Sequence, residues 1–256
     1  MDALLVERGL AESRSRAQGL ILAGCVRVGD RVVTKTGSRV APDERLLVER
    51  QSSFASRAGE KLDGALDEFG VRVTGKTCLD AGASTGGFTD VLLKRGAKNV
   101  LAVDVGYGQL DWSLRKDSRV TVMERTNVRY LRGADLPLEP ELLVADLSFI
   151  SLTVALEGLF STTPSLREAV LLVKPQFEAG PGLVGRGGLV SDPEVHAAVI
   201  QRVAAFFERL GFGAAGLTRA PVAGRRAGNR EYPIHLVRGT PKKLDEVRIR
   251  EAVAGG

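Results

Sequence analysis

Residues 77–88 read Thr-Cys-Leu-Asp-Ala-Gly-Ala-Ser-Thr-Gly-Gly-Phe, and this stretch decides the predicted fold. Its first residues suit a buried strand, and the last ones open a helical pattern. The small residues between them let the backbone approach a ligand closely. In open α/β sheets such a turn lies at the carboxyl edge of the strands, where ligands bind. The stretch predicts a strand–turn–helix unit with a ligand site, and the alternative is a tight turn without a ligand.

Strand and helix patterns alternate on both sides of this turn. The predicted strands are 77–82, 99–105, 120–125, 142–148, 169–174, 213–222 and 232–238. The predicted helices are 61–69, 86–96, 109–116, 152–160 and 193–210. Such alternation predicts an α/β fold with seven mostly parallel strands and helices on both faces of the sheet. The glycine-rich run 177–190 predicts a long loop, which in a compact domain is usually functional or mobile.

The first 50 residues predict a separate small α+β domain. The apolar residues Leu4, Leu5 and Leu10 suggest a short helix, and Gly9 suits its C-terminal cap. Ser13 is placed to cap a second helix, which Gly24 ends. An alternating stretch around Gly29-Asp30 indicates a hairpin, and 45–50 a further strand. We therefore predict a domain at 1–50, a linker at 51–58, an α/β domain at 59–240 and a solvated helix or tail at 241–256.

Composition limits the classes of function. The 256 residues carry a formal net charge of +5, which is compatible with a polyanionic partner without proving one. Cys25 and Cys78 each lie in an apolar run and have no spacing typical of a metal site or a disulfide framework. No signal peptide or apolar run long enough to cross a bilayer is evident. We expect a soluble, cytoplasmic protein with no metal site and no membrane partner.

The chemistry of the turn favours one cofactor. No Gly-Lys-Ser/Thr follows it, and it lacks a clean G-x-G-x-x-G pattern. Asp80 would repel a pyrophosphate but tolerate a cationic sulfonium, so S-adenosylmethionine fits better than a nicotinamide dinucleotide. Asp104 closes the next strand, where an acid accepts hydrogen bonds from a cofactor ribose. The candidate cofactor-binding residues are Asp80, Gly82, Ala83, Ser84, Thr85, Gly86, Gly87, Phe88, Asp104, Asn127 and Asp146.

Two ionisable residues close later strands. Asp146 ends one apolar strand and is a candidate neighbour of the cofactor, although a helix N-cap is an equally ordinary role for it. Lys174 ends another apolar strand, where an unpaired lysine is unusual. It suits a general base or a group that orients a hydroxyl, while the alternative is a lysine that snorkels to the surface. On their own, Lys61 and Glu231 read as surface charge.

Basic residues form two groups that suit contact with phosphates. Arg14 and Arg16 begin the second helix, and Arg27, Arg31 and Lys35 lie on the hairpin. Arg225 and Arg226 belong to a stretch from 219 to 230 that contains four arginines and no acid. The alternative for each group is ordinary solvated charge.

Six strings together resemble one family. They are SRAGEKLDGAL, CLDAGASTGGFT, AVDVGYGQL, ADLSFISL, LLVKPQFE and GNREY, and they occur in the expected order over nearly the whole chain. This pattern resembles the TlyA family of ribosomal-RNA 2′-O-methyltransferases, also catalogued as haemolysin-like proteins. The pieces ERGLAESRSRAQGLILAG and VRVGDRVV resemble an S4 RNA-binding module.

The resemblance implies a Rossmann-like, S-adenosylmethionine-dependent methyltransferase domain similar to the FtsJ/RrmJ enzymes. By motif, the Lys-Asp-Lys-Glu set of those enzymes falls on Lys61, Asp146, Lys174 and Glu231. It also implies that ribosomal RNA is the partner, with a cytidine in 23S rRNA, 16S rRNA or both as target, and we favour a monomer. The alternatives are a membrane-active haemolysin, a non-catalytic RNA-binding assembly factor and a nicotinamide oxidoreductase.

Overall fold

The computed structural model divides into two compact units, Met1–Ser53 and Phe54–Gly256. It describes all residues except 23–24, 30, 34, 39, 42–43, 49–52, 222–228, 241–243 and 256, and the side chains of 31, 32 and 181. The division between the units falls inside the segment predicted as a linker. Phe54 already packs with the core of the second unit.

The N-terminal unit combines two helices with a small sheet. The helices are α1 (Asp2–Glu7) and α2 (Arg14–Leu22), and the strands are β1 (Val26–Val28), β2 (Arg31–Val33) and β3 (Leu46–Val48). Ser13 caps α2 as predicted, because its hydroxyl accepts a hydrogen bond from Arg16 N–H at 3.2 Å. Strand β1 pairs antiparallel with both β2 and β3. Gly24 and Asp30, predicted to end α2 and to turn the hairpin, lie outside the described residues.

The second unit is built on a seven-stranded sheet. Its strands are β4 (Thr77–Ala81), β5 (Asn99–Val103), β6 (Val120–Met123), β7 (Leu142–Ala145), β8 (Glu168–Val173), β9 (Phe212–Leu217) and β10 (Tyr232–Arg238). Its helices are α3 (Ala58–Phe69), α4 (Gly87–Lys94), α5 (Trp112–Lys116), α6 (Leu152–Thr162), α7 (Pro175–Glu178), α8 (Pro193–Arg209) and α9 (Glu246–Ala254). The strand order is β6-β5-β4-β7-β8-β10-β9. Strand β10 runs antiparallel to both of its neighbours, β8 and β9, and the other pairs in the sheet are parallel. The predicted seven-stranded, mostly parallel sheet is confirmed.

Both faces of this sheet are covered. Helices α3, α4 and α5 pack on one face against residues such as Cys78, Val100 and Val144. Helices α6, α8 and α9 pack on the other face against residues such as Leu79, Leu101 and Leu143. Neighbouring residues of a strand point to opposite faces, so strands buried on both sides are apolar throughout.

The topology places a crevice between β4 and β7. The chain leaves β4 toward β5 on one side, and β7 lies on the other side, which makes this the switch point where open α/β sheets bind ligands. Gly82 follows β4 with φ at +89°, and a Cβ there would lie 2.9 Å from the carbonyl oxygen of Asp146. Only glycine permits both this conformation and this approach.

Three predictions need correction in this unit. The predicted strand 213–222 ends at Leu217. The run 177–190 is not a structureless loop, since it contains the end of α7 and 3-10 turns at Pro181–Leu183 and Arg186–Gly188. The predicted solvated tail contains α9, whose Ile249 and Val253 are buried in the main core. The sequence pattern did not predict this packing, because α9 is short and its few apolar residues lie among charged ones.

Candidate active site

One cavity of about 650 Å³ opens at the carboxyl edge of the sheet beside β4, β7 and β8. Ten of the predicted site residues line it: Lys61, Gly82, Ala83, Ser84, Thr85, Gly87, Phe88, Asp146, Lys174 and Glu231. They come from widely separated parts of the chain and meet because parallel strands present their carboxyl ends at one edge. The cavity therefore unites the predicted cofactor turn with all four predicted catalytic residues.

Lys174 is buried in this cavity as one partner of an ion pair. Its Nζ lies 2.5 Å from Asp146 Oδ1 and donates a hydrogen bond to Ser148 Oγ at 3.1 Å. Lys174 follows β8 and Asp146 follows β7, so the pairing of these two strands brings the side chains together. The alternative of a snorkelling lysine does not fit a residue that is 8% exposed. An ammonium group has three protons, so this one retains a donor for a ligand.

A second buried ion pair faces the same cavity. Lys61 Nζ, in the first turns of α3, lies 2.5 Å from Oε2 of Glu231, which directly precedes β10. Both side chains are at most 10% exposed. A pair this deeply buried costs desolvation that its mutual attraction offsets only with good geometry. Neither residue is surface charge, which is how each reads from its local sequence alone.

The turn after β4 is held by backbone hydrogen bonds to an acid. Asp104 accepts from Ser84 N–H at 2.8 Å and from Gly106 N–H at 2.7 Å. Gly87 lies against the segment before α3, because a Cβ there would meet Ser56 Oγ and would lie 3.0 Å from Gly59 N. A side chain at this position would push the wall of the cavity apart.

Asp80 lies beneath the turn and is not on the cavity wall. It is fully buried, and its Oδ2 accepts a hydrogen bond from Thr89 Oγ1 at 2.6 Å. Burial raises the pKa of its carboxyl to about 7, and the charge of Asp146 adds to this increase. Asp80 stays a predicted cofactor-binding residue, and the structure places it behind the residues that line the cavity. The hydrogen bond from Thr89 ties β4 to α4 and so holds the turn from below.

Three other predicted cofactor residues also stand back from the cavity wall. Gly86 is the N-cap of α4, and Asp104 accepts hydrogen bonds from the two backbone N–H groups named above. Asn127 caps a 3-10 turn, where its side chain accepts from Arg129 N–H at 3.1 Å. Spacing alone cannot separate residues that shape a turn from residues that face its ligand.

Several wall residues were missed by the sequence prediction. Ser56, Arg57 and Ala58 line the cavity although the prediction assigned them to a linker. Phe149 also lines the cavity and is 89% exposed. Its backbone has a φ of +67°, which residues other than glycine rarely adopt. Its ring lies 5.1 Å from that of Phe177. The quoted family strings contain Ser56, Phe149 and Phe177, but no local pattern gave them a role.

Most of the predicted RNA-contact residues that the structure describes are exposed. Arg14, Arg16 and Lys35 are exposed in the N-terminal unit, and Arg27 is half-buried on β1. Arg14 Nε lies 3.7 Å from Asp2 Oδ2. The side chain of Arg31 and the residues Arg225 and Arg226 lie outside the described residues. Across the described residues no helix is long and apolar enough to cross a membrane, and no acid, histidine or cysteine cluster suits a metal ion.

The cavity fits S-adenosylmethionine by its size and its chemistry. Its volume lies within the range of about 300–1,000 Å³ that is typical of small-molecule sites. Gly82, Ala83 and Gly87 line the cavity with small residues, and Asp146 and Glu231 are the acids on its wall, a lining that tolerates a cationic sulfonium.

Two family models match the chain in agreement with this geometry. The FtsJ-like methyltransferase model matches residues 54–238, and the S4 domain model matches residues 2–46. The fold and the cavity thus define an S-adenosylmethionine-dependent methyltransferase of the FtsJ-like class that carries an N-terminal S4 domain.

Similar proteins narrow this class. The 16S/23S rRNA (cytidine-2′-O)-methyltransferase TlyA of Mycobacterium tuberculosis is 46% identical over 99% of this chain and 95% of its own length. Hemolysin A of Brachyspira hyodysenteriae is 41% identical over 93% of this chain and 99% of its own. The solved structure named "Putative hemolysin from Streptococcus thermophilus" is 39% identical, with a TM-score of 0.77 over 99% of this chain and 93% of that one. The chain belongs to the TlyA family.

Proposed function

We propose that the protein methylates a ribose 2′-hydroxyl of ribosomal RNA. The observation that carries this proposal is the meeting of the Lys61–Glu231 and Lys174–Asp146 pairs with the glycine turn in one cavity. Buried lysines paired with acids beside a cofactor site suit the activation of a hydroxyl group. When bound, S-adenosylmethionine supplies an activated methyl group on a cationic sulfonium. The chain must then align a weak nucleophile and accept its proton.

Lys174 and Asp146 are our proposed proton-handling pair. Asp146 and Ser148 fix Lys174 Nζ, which leaves one ammonium proton for the 2′-oxygen. As the 2′-hydroxyl reacts, Lys174 would pass one proton to Asp146 and take the hydroxyl proton in its place. Asp146 would then release the net proton to water. Lys174 thus remains charged beside an oxygen that gains negative charge, which stabilises the transition state.

Lys61 and Glu231 are our proposed ribose-holding pair. Their 2.5 Å contact lies in the same cavity as the first pair and presents an acceptor and a donor to sugar hydroxyls. Holding the ribose in line with the methyl group lowers the entropy that the reaction must otherwise lose.

The nucleic-acid partner is inferred from both units. Exposed Arg14, Arg16 and Lys35 suit salt-dependent contacts with RNA phosphates. Phe149 and Phe177 place an aromatic surface at the mouth of the cavity, where an unstacked base can pack. Because the reacting atoms lie within a cavity, the target nucleotide must leave its helix to reach them.

The finer substrate follows from the relatives. The name of the Mycobacterium tuberculosis relative gives cytidines of 16S and 23S rRNA as its targets, and its similarity extends over both units of this chain. We propose cytidine 2′-oxygens as targets, in one or both subunits. This substrate would place the protein in the cytoplasm, and a monomer stays a prediction.

The deciding experiment uses tritiated S-adenosylmethionine with purified 30S, 50S and 70S particles from a strain that lacks the endogenous enzyme. Nuclease digestion and chromatography then identify the labelled nucleotide. We expect label on a 2′-O-methylcytidine, and the particle that becomes labelled identifies the subunit.

The matched control is the Lys174→Arg variant, which keeps the positive charge but changes the geometry of the donor. Label on a base instead of a ribose would contradict the proposal. So would an absence of transfer to every particle by a protein that binds the cofactor.

A further inference from the structure

A buried histidine and a buried tyrosine lie directly behind the proposed site. His196 of α8 is 3% exposed, and Tyr232, the first residue of β10, is fully buried. His196 Nδ1 lies 2.7 Å from the Tyr232 hydroxyl, and Nε2 lies 2.8 Å from the carbonyl oxygen of Val190. The mechanism above uses neither residue, and neither lines the cavity.

The partners determine where the protons lie. A carbonyl oxygen can only accept a hydrogen bond. Nε2 of His196 therefore carries the ring proton and donates a hydrogen bond to the carbonyl oxygen of Val190. Burial lowers the pKa of His196, which favours the neutral ring, and Nδ1 is then an acceptor for the hydroxyl proton of Tyr232. The result is a directed chain from the Tyr232 hydroxyl through His196 to Val190, with every ring nitrogen satisfied.

One end of this chain holds the strand that precedes the site. Tyr232 pairs with Val173 of β8, so Glu231 and Lys174 are the next residues of the two strands. Side chains alternate along a strand, so Glu231 points toward Lys61 on α3 while Tyr232 points toward α8 on the opposite face. The backbone that carries Glu231 is thus held from both faces of the sheet.

The other end holds a wall of the cavity. Val190 ends the glycine-rich segment 180–190, whose Val184 and Gly188 line the cavity. Asn229 Nδ2 donates to Gly188 O at 3.2 Å, so the same segment is also tied to the chain on the other side of Glu231. The hydrogen bonds of Tyr232 and Asn229, the residues on the two sides of Glu231, therefore also hold the segment 180–190.

We propose that His196 is a positioning residue for methyl transfer, which couples the 180–190 wall of the cavity to Glu231 through Tyr232. In this proposal His196 contacts neither RNA nor cofactor. It acts by fixing the position of the 180–190 wall relative to the Lys61–Glu231 pair. This inference rests on the proposed function for its kinetic effect, whereas the coupling itself is a property of the chain.

Two substitutions break the same hydrogen bond from opposite ends. Tyr232→Phe removes the hydroxyl, and His196→Gln removes the Nδ1 acceptor while an amide can still donate to Val190. We expect each to lower kcat about tenfold, the effect of roughly one lost hydrogen bond in the transition state, with cofactor affinity within about twofold of wild type. The double variant should lose no more than Tyr232→Phe, because that variant already lacks the hydrogen bond to His196.

Hydrogen exchange measures the coupling without any substrate. The amides of Leu183, Gly185 and Gly188 donate hydrogen bonds within the glycine-rich segment. We expect them to exchange faster in Tyr232→Phe and in His196→Gln than in the wild-type protein. The control is His235→Gln. His235 is a buried histidine on β10 that stacks on Phe69 and does not line the cavity. This variant should leave kcat and the exchange of the glycine-rich segment unchanged.

Three results would overturn the inference. The first is a kcat within about twofold of wild type for a folded Tyr232→Phe variant. The second is unchanged exchange in the 180–190 segment, which decides against the coupling even if the wild-type protein methylates no ribosomal RNA. The third is an equal loss of kcat in His235→Gln, which would reveal general destabilisation of the strand.

Discussion

The predicted RNA-contact residues of the N-terminal unit and the cavity lysines of the second unit carry positive charge in opposite ways. In the N-terminal unit, Arg14, Arg16 and Lys35 are exposed to solvent. In the second unit, Lys61 and Lys174 are buried, and each contacts an acid at 2.5 Å. Exposed cations suit many weak, screened contacts with a polyanion, whereas a buried ion pair carries a desolvation penalty. The difference suggests that the first unit contributes affinity and the second contributes chemistry.

The largest expected effect concerns the buried cation. Lys174→Ala should reduce methyl transfer by about 10²- to 10⁴-fold, because it removes the group that we propose handles the hydroxyl proton. Cofactor affinity should change far less, since other residues of the turn still line the cavity. Single-turnover rates and cofactor titration measure the two quantities separately. Lys98→Ala, an exposed lysine of the same unit, is the matched control. A folded Lys174→Ala variant with wild-type turnover would refute the assigned role.

An effect of intermediate size concerns the buried acid under the turn. Because the folded pKa of Asp80 is raised to about 7, its native state favours the neutral form. The stability from this group is present below its ordinary pKa of 3.8 and is lost as pH rises toward 7. Relative to Asp80→Asn, the wild-type protein should lose free energy of unfolding on the order of a few kcal/mol between pH 4 and pH 7. Urea unfolding at several pH values measures this difference.

A partly exposed acid, Asp117, provides the opposite case for the same measurement. The hydrogen bond from Arg119 lowers the pKa of Asp117 to about 2. Its stabilising contribution should therefore be present above its ordinary pKa of 3.8 and be lost as pH falls toward 2. Asp117→Asn and Asp80→Asn should thus change the pH dependence of stability with opposite signs. Slopes of the same sign would show that burial does not control the Asp80 carboxyl.

The smallest expected effect concerns the exposed cations. Arg14→Ala and Arg16→Ala should each weaken RNA binding and reduce the slope of log affinity against log salt by about 1. At saturating RNA, kcat should stay unchanged, because neither residue belongs to the unit that holds the cavity. Filter binding at several salt concentrations tests this. Arg72→Ala, an exposed arginine just before β4, should leave the slope unchanged. A fall in kcat without a change in slope would contradict the division of roles.

Prediction from sequence succeeded where a pattern is local. The alternation of apolar runs placed all seven strands of the large sheet, and Ser13 is a correctly predicted helix cap. It failed where a residue depends on distant neighbours. The apolar positions of α9 were predicted to be solvated although they pack in the core, and Lys61 and Glu231 read locally as surface charge although they form a buried pair.

The sequence by itself determined the class of fold, because hydrophobic period and glycine turns depend on neighbours in the chain. Through six quoted strings it also determined the family to which the chain belongs. Only the tertiary structure decided which charges are buried together, such as Lys61 with Glu231 across 170 positions of sequence. Only the tertiary structure placed His196 behind the site and Phe149 at its mouth. Pairing across strands and helices sets these contacts, and no single segment of sequence encodes them.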